Sequence, residues 1–336
     1  MSAPFEDYLA IQAVNWSSLK HVHESPHAYN YWQQRPRGDT PAYLKGRAVH
    51  CAILEPDDFE DRFKVVNVTL KDGWDIIGRM DVEGVLSRDY AVFTGSPQSR
   101  NGKDYKQFKK DHGDDPRPIL LQDEVDTYAG LWERYGDSEL LTPAVYDEVR
   151  LISDAVHRCP EAMELINGGP REINMEWTWP GTDVACKGRA DVLPGRVIDV
   201  KTAENVTDRG FSTAAAKYLY HGQGGFYNIG AKLCGYIPQD APPPGFITAQ
   251  SKAPYDVVVR EMDEDETRAG EDFAQMLMCG DKDGSKPGLI QCKAAGQWPG
   301  ISGGKILPLY LPDYAPGMVS ADNAPALTMG GKEMKF

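Results

Sequence analysis

The stretch Lys187-Gly188-Arg189-Ala190-Asp191-Val192-Leu193-Pro194-Gly195-Arg196-Val197-Ile198-Asp199-Val200-Lys201-Thr202 decides the fold. Two apolar-rich runs flank a Pro-Gly pair, the pattern of a tight β-hairpin. Residues two apart on a strand share a face, so Arg189 and Asp191 point one way together, as do Asp199 and Lys201. With the turn over residues 194–196, Leu193 pairs with Val197 and Asp191 falls opposite Asp199. Opposed residues have Cβ atoms about 4.5–5.5 Å apart and diagonal ones about 7–8 Å, which brings Lys201 to the same point.

Two carboxylates that close repel each other unless positive charge lies between them. Lys201 supplies part of it. A divalent cation with oxygen ligands supplies it better, and Mg²⁺ (Mn²⁺ as a substitute) binds through one or two carboxylates plus water and substrate phosphate. These are the parts of metal-assisted phosphodiester hydrolysis. On spacing alone, an ordinary Asp–Lys pair on a surface hairpin is the competing reading. Arg189, on the Asp191 face, could hold a phosphate bidentately or pair with Asp199 or Glu172.

Around this hairpin the pattern predicts an α/β fold. Residues 173–179 (INMEWTW) add a strand before it, making a three-stranded meander, and 246–251 (FITAQS) and 255–262 (YDVVVREM) add two after it. A helical segment over about 211–233 lies between, and an acidic helix covers about 263–278. Gln223 and Tyr227 are four apart on one helix face. Gly222, Gly224, Gly225 and Gly230 each weaken that helix by roughly 1 kcal/mol relative to Ala, which implies close backbone approach to the sheet or to DNA. Residues 1–65 read as helical, with a strong helix over 40–54 that has Thr40 as N-cap, Pro41 at its first position and Pro56 beyond its end. Residues 66–168 read as a helical and loop insertion, with one helical face carrying Tyr128, Leu131, Trp132 and Tyr135. Residues 169–280 are the expected catalytic core, and 281–336, dense in Gly and Pro, an irregular tail. Residues 96–107 (SPQSRNGKDYKQ) look like an exposed basic loop, with charges and aromatics interleaved as backbone contact and base stacking require. Lys103 and Lys106 there, with Lys187 and Arg189 on the hairpin, are the candidate DNA contacts.

Thirty-six Lys and Arg against fifty Asp and Glu leave a net charge of −14, which argues against a nonspecific nucleic-acid coat but not against a local basic channel. The 336 residues hold no apolar run near the roughly 20 residues of a membrane span, and the acidic N-terminus does not resemble a secretory signal, so a soluble, cytoplasmic protein without membrane partners is expected. The six cysteines, at 51, 159, 186, 234, 279 and 292, form no CxxC pair and read as free thiols. No GxxxxGK[ST] occurs, so no ATP use is expected.

The Asp191…Asp199-Val200-Lys201 pattern resembles the PD-(D/E)XK nuclease superfamily, and the flanking text is similar to its RecE-like (exonuclease VIII) phage-type branch. The stretches that carry this are Ser17-Ser18-Leu19-Lys20…Ser25-Pro26, Thr40-Pro41-Ala42…Gly46-Arg47-Ala48-Val49-His50…Leu54-Glu55-Pro56, Cys186-Lys187-Gly188-Arg189-Ala190-Asp191, and Tyr220-His221…Gln223…Tyr227. The resemblance covers about residues 15–262. It implies a restriction-endonuclease-like core, a central mixed sheet flanked by helices. It further implies that Asp191 and Asp199 ligate the metal, with the Val200 carbonyl as a third oxygen and His50 nearby. Lys201 would position and activate the attacking water, and Gln223 and Tyr227 would form the Gln-x-x-x-Tyr motif. A glutamate precedes the second strand in the family; Glu172 fits the spacing better, with Glu176 in reserve. The four clustered cysteines of iron–sulfur members are missing, so no cluster is expected. The implied activity is a metal-dependent exonuclease, 5′→3′ on double-stranded DNA ends, leaving 3′ single strands for recombination. A homo-oligomeric ring, a single-strand annealing protein as partner and, for a phage-encoded chain, the cytoplasm of a bacterial host come with it. A structure-specific endonuclease of the same core and a non-catalytic binding module are the alternatives.

Overall fold

The structure is a computed structural model that describes residues 5–35, 40–66, 91–93, 103–112, 119–121, 130, 133–136, 138–306, 308–309, 327–329 and 332–334. Helices α1 (Phe5–Ala10), α2 (Trp16–Leu19), α3 (His21–Glu24), α4 (Pro26–Gln33) and α5 (Pro41–Leu54) lead in. The Thr40 hydroxyl accepts from the Tyr43 amide (3.2 Å), and α5 ends at Glu55, ahead of Pro56. After α6 (Phe59–Arg62) come four short strands in two parallel pairs: β1 (Phe63–Val65) with β4 (Glu139–Leu141), and β2 (Ala91–Phe93) with β3 (Ile119–Leu121). Helix α7 (Lys103–His112) takes up residues 103–107 of the stretch expected as a basic loop; residues 96–102 lie outside the described residues. The correction has a local reason: no Gly or Pro occurs between Lys103 and His112, so nothing interrupts helical hydrogen bonding. Strand β4 lies within the stretch expected as a helical and loop insertion, and α8 (Pro143–His157) and α9 (Pro160–Asn167) follow it. Tyr128, Leu131 and Trp132 lie outside the described residues.

The centre is a five-stranded mixed sheet of β5 (Arg171–Thr178), β6 (Ala185–Val192), β7 (Ile198–Ala203), β8 (Gly245–Gln250) and β9 (Val257–Glu261), in that spatial order. The pairs β5–β6, β6–β7 and β8–β9 are antiparallel and β7–β8 is parallel. β8 is buried over five of its six residues, as a strand covered on both faces must be. Helices pack on both sides. One core joins Trp16 of α2, Met175 and Trp177 of β5 and Phe226 and Tyr227 of α11 (Tyr220–Leu233). The other joins Ala48 and Ile53 of α5, Ile152 of α8, Ile166 of α9, Val200 of β7 and Ile247 of β8. This is the α/β architecture that the hairpin predicts.

The helical segment expected over 211–233 is two helices, α10 (Asp208–Tyr218) and α11, broken at Leu219, whose φ of +60° is left-handed. The glycines of α11 serve protein packing. A Cβ on Gly225 would stand 2.3 Å from the Gly270 backbone of α12 (Glu264–Cys279), and one on Gly230 2.7 Å from the Trp177 ring.

Past α12 the tail is not wholly irregular. Helix α13 (Leu289–Ala295) buries Leu289 and Cys292, and Trp298 stacks on Tyr29 with ring centroids 5.7 Å apart. The dense glycines mislead there because Gly288 and Gly296 cap the helix at its two ends and so lie outside it. A small hairpin, β10 (Leu327–Met329) with β11 (Lys332–Met334), lies near the chain end. Among the described residues, no helix is long and apolar enough to cross a membrane.

A candidate metal centre in the split of the sheet

Strands β6 and β7 pair at Val192↔Ile198, the register that sets Asp191 opposite Asp199, and no further pair of residues bridges them. The hairpin therefore opens into a split. Asp191 fills it, with Oδ2 accepting the Val200 N–H at 2.6 Å. The Val200 backbone lies in the site on both sides: its amide donates to Asp191, and its carbonyl, the oxygen that the resemblance assigns to the metal, faces His50.

Side chains reach the split from both helical layers. From α5, His50 places Nδ1 3.6 Å from Asp191 Oδ2. From α11, Gln223 donates through Nε2 to Asp199 Oδ1 (2.9 Å) and accepts from Lys201 Nζ (3.1 Å), while Lys201 Nζ stands 2.5 Å from Asp199 Oδ2. Asp199, Lys201 and Gln223 form a closed triangle. The break at Leu219 starts α11 one residue before His221, which sets Tyr220 against Lys201, its ring centroid 4.9 Å from Nζ.

On β5, Glu172 has a left-handed φ of +54° and drops out of the ladder between Arg171↔Val192 and Ile173↔Ala190. Such a conformation is strained for a residue with a Cβ. It is held by the buried pair that Glu172 Oε2 makes with Arg189 Nε at 2.5 Å. His50, Glu172 and Asp191 each offer a ligand atom within 4.8 Å of the others. Glu176 instead sits exposed, opposite Lys187.

The electrostatics suit a cation. Burial pushes the Asp191 carboxyl well above the usual carboxylate range, and the Asp199 and Glu172 charges push it further. Burial lowers His50, which keeps the imidazole neutral and its lone pair available. For Lys201, burial pulls downward but the Asp199 and Asp191 carboxylates outweigh it, so the ammonium stays charged. Burial raises Tyr227 far above the ordinary phenol, so its hydroxyl stays neutral. Asp199 Oδ2 is buried, with the Lys201 ammonium as its neighbour. A neutral imidazole and two buried carboxyls, one of them short of positive charge, fit a hard divalent ion with oxygen and imidazole ligands. The compact ligand group contains Glu172 rather than Asp199, which is engaged by Lys201 and Gln223.

The expected DNA contacts fare differently. Lys187 is buried, and its Nζ donates to the carbonyls of Tyr8 (2.7 Å) and Ile11 (2.8 Å), pinning the N-terminal segment. It is a structural lysine, since its donors are spent inside the fold. Arg189 is also buried, between Glu172, Asn174 and Glu55, so its guanidinium serves carboxylates rather than a phosphate. Lys103 opens α7, and Lys106 is exposed on it. Sequence reasoning missed Asn174, Glu55 and Tyr220 as parts of the site. The β5–β6 register, Asn174↔Arg189, gives the first; the other two lie within quoted stretches without an assigned role.

A family model described as a PDDEXK-like domain of unknown function (DUF3799) matches residues 15–304. No curated protein matches the chain. Among solved structures, a protein from Eubacterium rectale described as a candidate exonuclease is 15% identical, with 94% of this chain and 99% of that chain covered and a TM-score of 0.48. The protein SSO0001 is 13% identical, with 74% and 88% covered and a TM-score of 0.23. Both likenesses are too distant to carry an argument.

Proposed function

The chain belongs to this PDDEXK-like family, and from that premise we propose that it is a divalent-metal-dependent nuclease whose active site is the split between β6 and β7. The observation that carries the proposal is the meeting of Asp191, Asp199 and Lys201 with His50 from one helical layer and Gln223 from the other. His50, Glu172 and Asp191 would hold the ion, with Asp199 across the hairpin from Asp191. When bound, such an ion supplies Lewis-acid stabilisation of phosphoryl charge and lowers the pKa of a bound water. Lys201 keeps its charge and can donate to a phosphate oxygen or orient the attacking water. Gln223 fixes Lys201 against Asp199, and the buried Tyr227 backs that helix face as a neutral phenol.

The finer reading rests on the RecE-like pattern of the five quoted stretches. It is a Mg²⁺-dependent exodeoxyribonuclease running 5′→3′ from linear duplex ends and leaving 3′ single strands for recombination. With it go a closed homo-oligomeric ring, an annealing-protein partner and a bacterial, phage-linked cytoplasmic setting. A ring reconciles the net charge of −14 with DNA binding, because processivity then comes from enclosure rather than a basic exterior.

The test is release of label from linear duplex marked at the 5′ or the 3′ end, in Mg²⁺ or EDTA. Mg²⁺-dependent release of the 5′ label first is expected, and Asp199→Asn should lose about 100-fold or more in rate. Cleavage of covalently closed circles would replace the exonuclease with an endonuclease, and full activity in D199N would remove the site.

A further inference from the structure

The cluster around Glu172 holds a cation of its own. Arg189 is 8% exposed and meets side chains of β5 and of the end of α5. Its Nε donates to Glu172 Oε2 (2.5 Å), its Nη1 to Asn174 Oδ1 (2.7 Å), and its Nη2 lies 3.7 Å from Glu55 Oε1. Glu55 closes α5, the helix that carries His50, and Arg62 Nη1 donates to its other oxygen at 2.7 Å. A buried carboxylate stripped of its partner is strongly destabilising, so without a metal the fold needs Arg189 at Glu172. A cation among His50, Glu172 and Asp191 would draw on that same carboxylate. A rigid guanidinium fork with five donors can release one acceptor and keep the others.

We propose that Arg189 is a resident counter-ion for Glu172, and that cation binding is an exchange: Glu172 passes from the guanidinium to the ion while Asn174 and Glu55 retain Arg189. The inference rests on the metal-site reading above. Arg189 is then a positioning residue. It stabilises the metal-free protein, lowers the affinity for the ion, and through Glu55 ties the end of α5 to the sheet so that His50 stays in place.

The experiment is Mn²⁺ titration of the full chain by calorimetry, paired with thermal unfolding in EDTA. Arg189→Met removes the charge at similar length, and Arg189→Lys retains it. R189M is expected to melt below wild type in EDTA yet bind Mn²⁺ about tenfold more tightly, the order of effect of deleting a like charge a few ångströms away. R189K should return both readouts toward wild type. A lower melting temperature with unchanged or weaker Mn²⁺ affinity would overturn the exchange and leave a structural clamp. Should R189M not fold, Glu55→Gln reports instead. It deprives Arg189 of its alternative partner, so Mn²⁺ affinity should fall several-fold, and unaltered affinity would overturn the proposal. Absence of Mn²⁺ binding in wild type, or wild-type binding in Asp191→Asn, would remove the metal site itself; normal binding in wild type with no change in R189M removes only the exchange.

Discussion

At Asp191 opposing influences meet on one carboxyl. Burial and the neighbouring Asp199 and Glu172 charges raise its pKa, while the Val200 amide and Lys201 hold it down. A group whose pKa is higher folded than unfolded adds stability below the ordinary carboxylate pKa and loses that contribution as pH rises through its folded value. The metal-free protein should therefore lose stability as pH rises through that window, and a bound ion should restore it, because ligands bind metal deprotonated. The rise in melting temperature given by Mg²⁺ over EDTA is expected to be larger at about pH 8 than at about pH 5. An equal rise at both pH values would show that Asp191 is not a ligand. Glu172 and Glu176 separate the same way. Glu172→Gln should abolish most of the Mg²⁺-induced rise, whereas Glu176→Gln, at an exposed position, should leave the rise as in wild type and change stability by no more than about 0.5 kcal/mol. The reverse pattern would transfer the role to Glu176.

Among the elements, α11 depends most on its neighbours. Its intrinsic helix tendency is poor, and its glycines allow α12 and β5 to come close enough to fix Gln223 and Tyr227 over the site. Gly225→Ala forces a methyl into the Gly270 backbone and should cost about 2–3 kcal/mol in urea unfolding, as overpacking does, despite raising helix propensity. A stabilised G225A would show that the helices are not in contact there. The split hairpin is the second determinant. One bridging pair, Val192↔Ile198, sets the register, and the divergence beyond it admits His50 from one side and Gln223 from the other. A continuous ladder would seal Asp191 against Val200 and exclude both.

For the whole molecule, the two cores place helices on both faces of one mixed sheet, and the site lies where those layers are both within reach. The proposed ring predicts a closed oligomer in sedimentation velocity of the full chain; a monomer at micromolar concentration would remove the enclosure argument for the −14 charge. Much of this was legible in the chain itself. Alternation and the Pro-Gly turn give the strand order of the meander and the Asp191–Asp199 register, because period-two patterning and turn geometry are local. Cap residues give α5 for the same reason. Which carboxylates gather was not local. That Glu172 turns inward at a left-handed φ while Glu176 faces solvent depends on a buried arginine two strand positions from Asp191. That Lys187 and Arg189 are structural cations rather than DNA contacts depends on Tyr8, Ile11, Glu55 and Asn174, residues brought beside them only when the layers close. Periodicity fixes which side of a strand a charge occupies; whether that side meets water, a carboxylate or a ligand is set by what packs against it.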